Sequence, residues 1–263
     1  MRTSNPALND EVFRDTAAEY GRSTTMTLEG TVMKTGVLLC LLLAGAVYTW
    51  AQTHVLGAAA EAEAAGQAAR LPIPSNVFTF MVIGSLGGFL VSFITIMKPQ
   101  VSPYSAPLYA ILEGLALGGI STFFEYQFPG IVLEAVGLTF GTLAALLLAY
   151  TSGMIKASEN FKLGIVAATG GICLVYIASF VLRLFHISIP FIHESGMVGI
   201  GFSLFVVVVA ALNLVLDFDF IENGVRQGAP KYMEWYGGFG LLLTLVWLYL
   251  EILRLLSKLR DRD

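Results

Sequence analysis

The residues of this sequence best suited to chemistry are carboxylates that interrupt long apolar runs. Glu113, Asp217, Asp219 and Glu251 lie within such runs, and Glu222 lies close to the end of one. An acid inside a membrane-spanning helix costs a few kcal/mol and is rarely kept without a partner, water or a proton. These acids are therefore the candidates for binding protons or cations.

Seven apolar stretches position these acids. The chain has 263 residues, of which 56% are hydrophobic and only 13% are charged, whereas about 25% are charged in a typical soluble domain. Each stretch reaches or approaches the roughly 20 residues that cross the hydrocarbon core as a helix. Because the alternation of barrel strands is absent, helices are expected to satisfy the backbone groups. The sequence predicts an all-α integral membrane protein, a seven-transmembrane-helix bundle. The stretches are approximately 35–51, 76–97, 106–124, 131–155, 163–185, 196–218 and 235–256.

The chain is predicted to form one membrane domain between polar ends. Residues 1–33 are expected to be a polar cytoplasmic N-terminal segment, residues 34–256 the seven-helix membrane domain, and residues 257–263 a short charged tail. The formal net charge is −4 and no basic stripe is present, so nucleic acid is not an expected partner. The expected partner is the lipid bilayer.

The distribution of Lys and Arg predicts a cytoplasmic N-terminus. With this orientation, nine of these residues lie in inner segments and two in outer loops, which is the bias that the positive-inside rule describes. Seven spans then place the basic tail outside, and the alternative is that one run is re-entrant. The inner residues are Arg2, Arg14, Arg22, Lys34, Lys98, Lys156, Lys162, Arg226 and Lys231, and the outer ones are Arg70 and Arg183.

Helical rise predicts that Glu113 and Asp217 share a depth. The third helix runs outward from about residue 106, so Glu113 lies on the order of 10 Å from its inner end. The sixth helix runs inward and ends near residue 218, which brings Asp217 to that end. Two acids at one depth in a poorly hydrated bundle disfavour each other's charged forms, so the pair can act as a proton switch. When ionised, it offers the oxygen ligands that a cation such as Ca²⁺ prefers. The alternative is a neutral acid that hydrogen-bonds adjacent helices.

The other acids are expected to lie away from this pair. Asp219 and Glu222 are three residues apart and share a helix face. They are expected to line a hydrated opening of the helix bundle on the cytoplasmic side. Glu251 lies far along the seventh helix, and the sequence predicts that it is near the outer interface. From there it cannot easily meet Asp217.

Glycines recur four residues apart in three consecutive helices. This spacing is typical of helices that pack closely in a membrane, and a flexible gate is the alternative. The pairs are Gly84 and Gly88, Gly114 and Gly118, and Gly137 and Gly141.

Enzyme motifs are absent from the sequence. It has no G-x-S-x-G elbow and no H-E-x-x-H zinc pair, and these are the patterns that acyl transfer and zinc hydrolysis require. We therefore expect no enzyme activity and no cofactor. The alternative to an ion pathway is a non-conducting membrane regulator that binds other membrane proteins through its glycine stripes and its polar segment.

Several fragments resemble the Bax-inhibitor-type transmembrane family. Leu216–Glu222 (LDFDFIE) and Leu248–Leu256 (LYLEILRLL) look like the ends of its last two helices, and Ala106–Gly114 (APLYAILEG) and Val132–Ala135 (VLEA) are similar to earlier parts. Ser4–Leu8 (SNPAL) resembles the leader of the bacterial branch. The resemblance covers nearly the whole chain and implies a protein of the bacterial cytoplasmic membrane.

The resemblance also implies a function. Characterised relatives pass Ca²⁺ down its gradient, and pH controls permeation through two acids on the last two helices. Asp217 matches the first acid. When the comparison is anchored on Arg254–Leu256, Thr244 stands where the second acid would be, and Glu251 lies seven residues further along. Glu113 is the predicted substitute, a choice that comes from its depth and not from the family.

Overall fold

A computed structural model describes residues 25–52, 75–185 and 196–262 of the chain. Most of the predicted polar segment 1–33 and the long loop before residue 75 lie outside these ranges. The described residues form seven α-helices and no strand, and all seven helices are long and apolar enough to cross a membrane. The predicted fold class is therefore confirmed. The helices are α1 (Leu28–Ala51), α2 (Ser75–Met97), α3 (Ser102–Gln127), α4 (Ile131–Thr151), α5 (Glu159–Leu184), α6 (Met197–Arg226) and α7 (Met233–Arg260).

The first helix begins earlier than the apolar pattern indicates. It starts at Leu28, after Thr27, whose hydroxyl oxygen accepts a hydrogen bond from the Gly30 amide at 3.1 Å. A Thr at this position satisfies one of the amides that a helix start leaves unpaired. Hydrogen bonding at the cap, and not hydropathy, therefore decides where α1 begins.

The sixth helix ends later than predicted. It continues past residue 218 to Arg226, so Asp219 and Glu222, which the sequence placed on one helix face, are both residues of α6. Both acids have side-chain partners on other helices. Because their polar atoms are satisfied, the helix does not have to stop where the apolar run stops.

The described residues divide into two compact units. The N-terminal unit contains the described residues up to Pro129 together with Gln227–Leu242, and the C-terminal unit contains Gly130–Arg226 and the residues from Leu243 onward. The helix α7 thus contributes its first part to one unit and the remainder to the other.

Glycines bring the backbones of α1, α2 and α3 together in the N-terminal unit. A Cβ atom added at Gly84 of α2 would lie 2.5 Å from the carbonyl oxygen of Leu112 in α3. One added at Gly118 of α3 would lie 2.5 Å from the carbonyl oxygen of Ala46 in α1. No side chain fits at such distances, so the packing role predicted for these glycines is confirmed.

The C-terminal unit is packed differently. Its helices α4 and α5 leave most of their surface exposed on the described chain, and a Cβ added at Gly137 or Gly141 would meet none of the described residues within 4 Å. The third glycine pair therefore does not bring two of the described helices together. The buried apolar cluster of this unit contains Ile172, Val206 and Val209, against which Tyr176, Phe202 and Trp247 pack.

Candidate functional site

Asp217 lies where α6 contacts α7 in the C-terminal unit. The Thr244 hydroxyl of α7 donates a hydrogen bond to its carboxylate. Its Oδ2 atom is buried and has no hydrogen-bond partner within the described ranges. Leaving a buried carboxylate oxygen unpaired costs at least about 1–3 kcal/mol. The arrangement is therefore suited to take up a proton or a cation at Oδ2.

Thr244 stands at the position where the resemblance implies a second acid. The structure places it in hydrogen-bond contact with Asp217. A threonine hydroxyl can donate to a carboxylate or accept from a carboxylic acid, but it does not ionise near neutral pH. Of these two hydrogen-bonded side chains, only that of Asp217 is a carboxyl group that can titrate.

Glu113 belongs to the N-terminal unit. Its Oε2 atom lies against Gly88 of α2, where an added Cβ would be 2.9 Å away. It is eleven residues after the start of α3, and Asp217 is nine residues before the end of α6. The two acids belong to different units, and the pairing of Glu113 with Asp217 stays a prediction.

Asp219 and Glu222 link α6 to two other helices of the C-terminal unit. Asp219 forms a 2.7 Å ion pair with Lys162 of α5. Glu222 accepts a 2.5 Å hydrogen bond from the Tyr150 hydroxyl of α4 and pairs with Arg226. The side chains of the two acids are 21% and 41% exposed. Both side chains are partly exposed, as expected for acids at a hydrated cytoplasmic opening. In the structure their contacts connect α4 and α5 to the last turns of α6.

Glu251 is buried inside the C-terminal unit and is paired. It is 2% exposed, forms an ion pair with Arg254 at 2.8 Å, and accepts a hydrogen bond from the Tyr176 hydroxyl at 2.9 Å. Because α7 continues to Arg260, Glu251 is about 14 Å from the end of the helix. Glu251 is thus enclosed by protein and has partners, whereas its position near the outer interface stays a prediction.

Sequence reasoning missed Glu234, the most completely buried acid among the described residues of the N-terminal unit. It is 0% exposed and forms ion pairs with Lys34 of α1 and with Lys231, the latter at 2.7 Å. It also accepts hydrogen bonds of 2.8 Å from the Thr27 amide and from the Thr27 hydroxyl. The sequence feature that could have identified Glu234 is an acid in the first turn of an apolar helix, three residues after a lysine. This cluster joins the starts of α1 and α7.

No group of three or more His, Cys, Asp or Glu side chains is arranged to hold a metal ion in residues 25–52, 75–185 and 196–262. A tightly held Ca²⁺ requires six to eight oxygen ligands.

Comparison with known proteins agrees with the resemblance seen in the sequence. The family model described as Bax inhibitor 1 like matches residues 5–261. The chain is also similar to Bax inhibitor 1 of Schizosaccharomyces pombe, with 26% identity over 182 residues, which covers 66% of this chain and 62% of that protein. The chain thus spans less than two thirds of the length of this curated relative. No solved structure matches it. Because the family match extends over nearly all of the sequence, this chain is a seven-helix membrane protein that belongs to the Bax inhibitor 1 like family.

Proposed function

We propose that this protein is a pH-sensitive cation leak pathway, a channel or transporter of the Bax-inhibitor type, with Ca²⁺ as the permeant ion. We place it in a bacterial cytoplasmic membrane with its N-terminus in the cytoplasm. The observation that carries the proposal is the buried Oδ2 atom of Asp217, which has no hydrogen-bond partner among the described residues.

The surroundings of the neighbouring acids support the choice of Asp217. Asp219, Glu222 and Glu251 each have a lysine or arginine partner. Their negative charges are therefore offset inside the protein and have little attraction left for a mobile cation. Asp217 instead has the neutral Thr244 hydroxyl as its hydrogen-bond donor.

The chemistry at Asp217 couples cation movement to pH. In the protonated acid, Oδ2 carries a hydrogen and the side chain has no net charge. In the ionised form, the same oxygen offers a hard ligand to Ca²⁺. Proton and cation therefore compete for one atom, and we expect the flux to increase as the pH rises through the titration of Asp217.

The test is a flux assay with purified protein in lipid vesicles that contain a fluorescent Ca²⁺ indicator. The initial rate of Ca²⁺ entry is measured from pH 5 to pH 8, a range of about three units around neutrality. For the wild-type protein we expect a rate that rises with pH. For Asp217→Asn we expect a low rate that does not change with pH, because the amide is neutral throughout.

Asp219→Asn is the matched control, because it makes the same chemical change two residues away, at an acid that is paired with Lys162. It is expected to keep the pH profile of the wild-type protein. Retention of the profile by Asp217→Asn and its loss in Asp219→Asn would contradict the proposal. Glu113→Gln decides the predicted pairing, because it shifts the midpoint of the profile only if Glu113 shares its proton with Asp217.

A second candidate function is a non-conducting regulator that binds other membrane proteins. It is favoured by Gly137 and Gly141 of α4, where an added Cβ would meet none of the described residues within 4 Å. Their spacing is the one that helices use to pack on one another. Vesicles in which the purified protein passes no Ca²⁺ at any pH would favour this function over the leak pathway.

A further inference from the structure

Helix α6 runs antiparallel to both α5 and α7 in the C-terminal unit. The contacts pair residues whose numbers rise along one helix and fall along the other. The pairs are Lys162–Asp219 and Thr169–Asn213 between α5 and α6, and Thr244–Asp217 and Lys258–Ser203 between α7 and α6. Helices α5 and α7 therefore run in the same direction and finish at the same end of the unit. We call it the α5–α7 end, formed by residues 180–184 and 254–260.

The Arg254 side chain of α7 is positioned by its Nη1 atom. Nη1 donates hydrogen bonds to the Tyr176 hydroxyl at 2.7 Å and to the two Glu251 oxygens at 2.8 and 2.9 Å. The guanidinium also lies over the Tyr176 ring, 5.3 Å from its centroid. Its Nη2 and Nε atoms donate to none of the residues in the described ranges, and the side chain is 43% exposed. One side of the guanidinium is therefore fixed in direction and open to a ligand.

Arg183 of α5 lies near the same end. It is seven residues after Tyr176, which is close to two helical turns, so the two residues share a helix face and are about 10 Å apart along the axis. Because α5 and α7 run in the same direction, Arg183 lies beyond the contact between Tyr176 and Arg254, towards the α5–α7 end. Arg183 is exposed, and its side chain makes no hydrogen bond or ion pair with the described part of the chain.

The chemistry of the two arginines favours an anion with oxygen ligands. Glu251 offsets the charge of Arg254, whereas none of the described residues pairs with Arg183. These three side chains together carry two positive charges and one negative charge. Guanidinium groups bind phosphate through pairs of parallel N–H donors. The open side of Arg254 and the whole of Arg183 thus offer such donors to one phosphate group.

The position of the arginines along the helices suits the phosphate of a phospholipid. Arg183 is next to the last residue of α5, and Arg254 is about 9 Å before the end of α7. These depths bring both side chains to the headgroup region, which borders the roughly 30 Å hydrocarbon core. The neighbours Phe180 and Leu184 are apolar and are 66% and 65% exposed. They offer a surface for the acyl chains of the same lipid.

We propose that Arg183 and Arg254 bind the phosphate group of an anionic phospholipid at the α5–α7 end. The acyl chains lie along Phe180 and Leu184, and Glu251 and Tyr176 hold the Arg254 guanidinium in the direction of the phosphate. This binding does not depend on cation flux. It therefore goes beyond the proposed function and is tested without a flux assay.

The experiment measures which phospholipids bind to the purified full-length protein in detergent. The protein is titrated separately with dioleoylphosphatidylglycerol, with dioleoylphosphatidylcholine and with inorganic phosphate, and native mass spectrometry counts the bound molecules at each concentration. We expect saturable binding of phosphatidylglycerol. We expect weaker binding of phosphatidylcholine, because its choline cation offsets the phosphate charge, and no binding of inorganic phosphate at the same concentrations.

Two variants remove the proposed ligands of the phosphate. Arg183→Gln removes a guanidinium that contacts none of the described side chains, so it is expected to fold like the wild-type protein. It is expected to weaken phosphatidylglycerol binding on the order of tenfold, the size of one charge-assisted hydrogen bond. The double variant Glu251→Gln/Arg254→Gln removes both charges of the buried pair at once, so no unpaired charge is left behind. It is expected to weaken the binding by a similar factor.

Lys156→Gln is the matched control. It removes a positive charge from an exposed position just before α5, at the opposite end of this helix from Arg183. It is expected to bind phosphatidylglycerol like the wild-type protein. Loss of affinity in the two arginine variants, with this control unchanged, would support the site.

Three results would overturn the proposal. One is unchanged affinity for phosphatidylglycerol in both arginine variants. Another is an equal loss of affinity in Lys156→Gln, which would mean that any positive charge on the surface attracts the lipid. The third is binding of inorganic phosphate as tight as that of phosphatidylglycerol, which would mean that the arginines take a free anion and not a lipid.

Discussion

The buried cluster around Glu234 makes a quantitative prediction about stability. Glu234 is completely buried and forms ion pairs with Lys34 and Lys231, whose side chains are 19% and 49% exposed. The substitution Glu234→Gln keeps the shape of the side chain and a carbonyl oxygen that can still accept hydrogen bonds from Thr27. It removes the negative charge that both ammonium groups face.

The expected loss follows from these contacts. Removing one partner of a fully buried ion pair costs about 3–5 kcal/mol, because the other charge is left buried. Both lysines are partly exposed, so water replaces part of the lost interaction. We therefore expect the free energy of unfolding to fall by about 2–3 kcal/mol, the size of one or two charge-assisted hydrogen bonds. For a chain of this length, that corresponds to a decrease of roughly 5–10 °C in melting temperature.

The assay is thermal unfolding of the purified protein in detergent, followed by circular dichroism. Glu159→Gln is the matched control, because Glu159 also pairs with a lysine on a membrane helix, Lys162, but at 3.4 Å and with 69% of its side chain exposed. An exposed pair of this kind contributes less than about 1 kcal/mol, so the control is expected to melt within about 2 °C of the wild-type protein. Equal shifts for the two variants, or none for Glu234→Gln, would refute the reasoning from burial.

Two further predictions concern packing and topology. Gly114→Ala is expected to lower the free energy of unfolding by about 1–3 kcal/mol, because the new methyl group would overlap the carbonyl oxygen of Leu42. The methyl group of Gly137→Ala would meet none of the described residues, so this control is expected to melt like the wild-type protein. Similar losses of stability in both variants would contradict the packing argument. The topology is tested with a membrane-impermeant maleimide in a variant that lacks the two native cysteines. A cysteine introduced at Lys156 is expected to be labelled only from the cytoplasm, and one introduced at Gln127 only from outside. External labelling at position 156 would reverse the predicted orientation.

Hydropathy alone determines the number and nature of the helices. A bilayer offers the backbone no hydrogen-bond partners, so an apolar run of sufficient length has to form a helix wherever it occurs. The seven runs predicted from the sequence correspond to the seven helices of the structure. This part of the fold depends on local composition, and it can therefore be predicted without knowledge of any tertiary contact.

Helix ends depend on contacts that hydropathy does not report. The start of α1 is set by the Thr27 cap and the buried Glu234 with which Thr27 bonds. The last two turns of α6 are held by partners on α4 and α5, namely Tyr150 and Lys162. These partners are far away in the sequence, so their pairing could not be read from either segment.

The candidate site also has features that the sequence determines and features that only the tertiary structure decides. The sequence by itself determined that Asp217 is an acid inside an apolar helix, and therefore a group in need of a partner, a proton or a cation. Only the tertiary structure decided which acids already have partners: Glu251 has Arg254 and Tyr176, whereas the Oδ2 atom of Asp217 has none within the described ranges. The reason is physical. The cost of a buried charge depends on the few atoms within hydrogen-bond distance of it, and helix packing brings those atoms together from positions that are far apart in the chain.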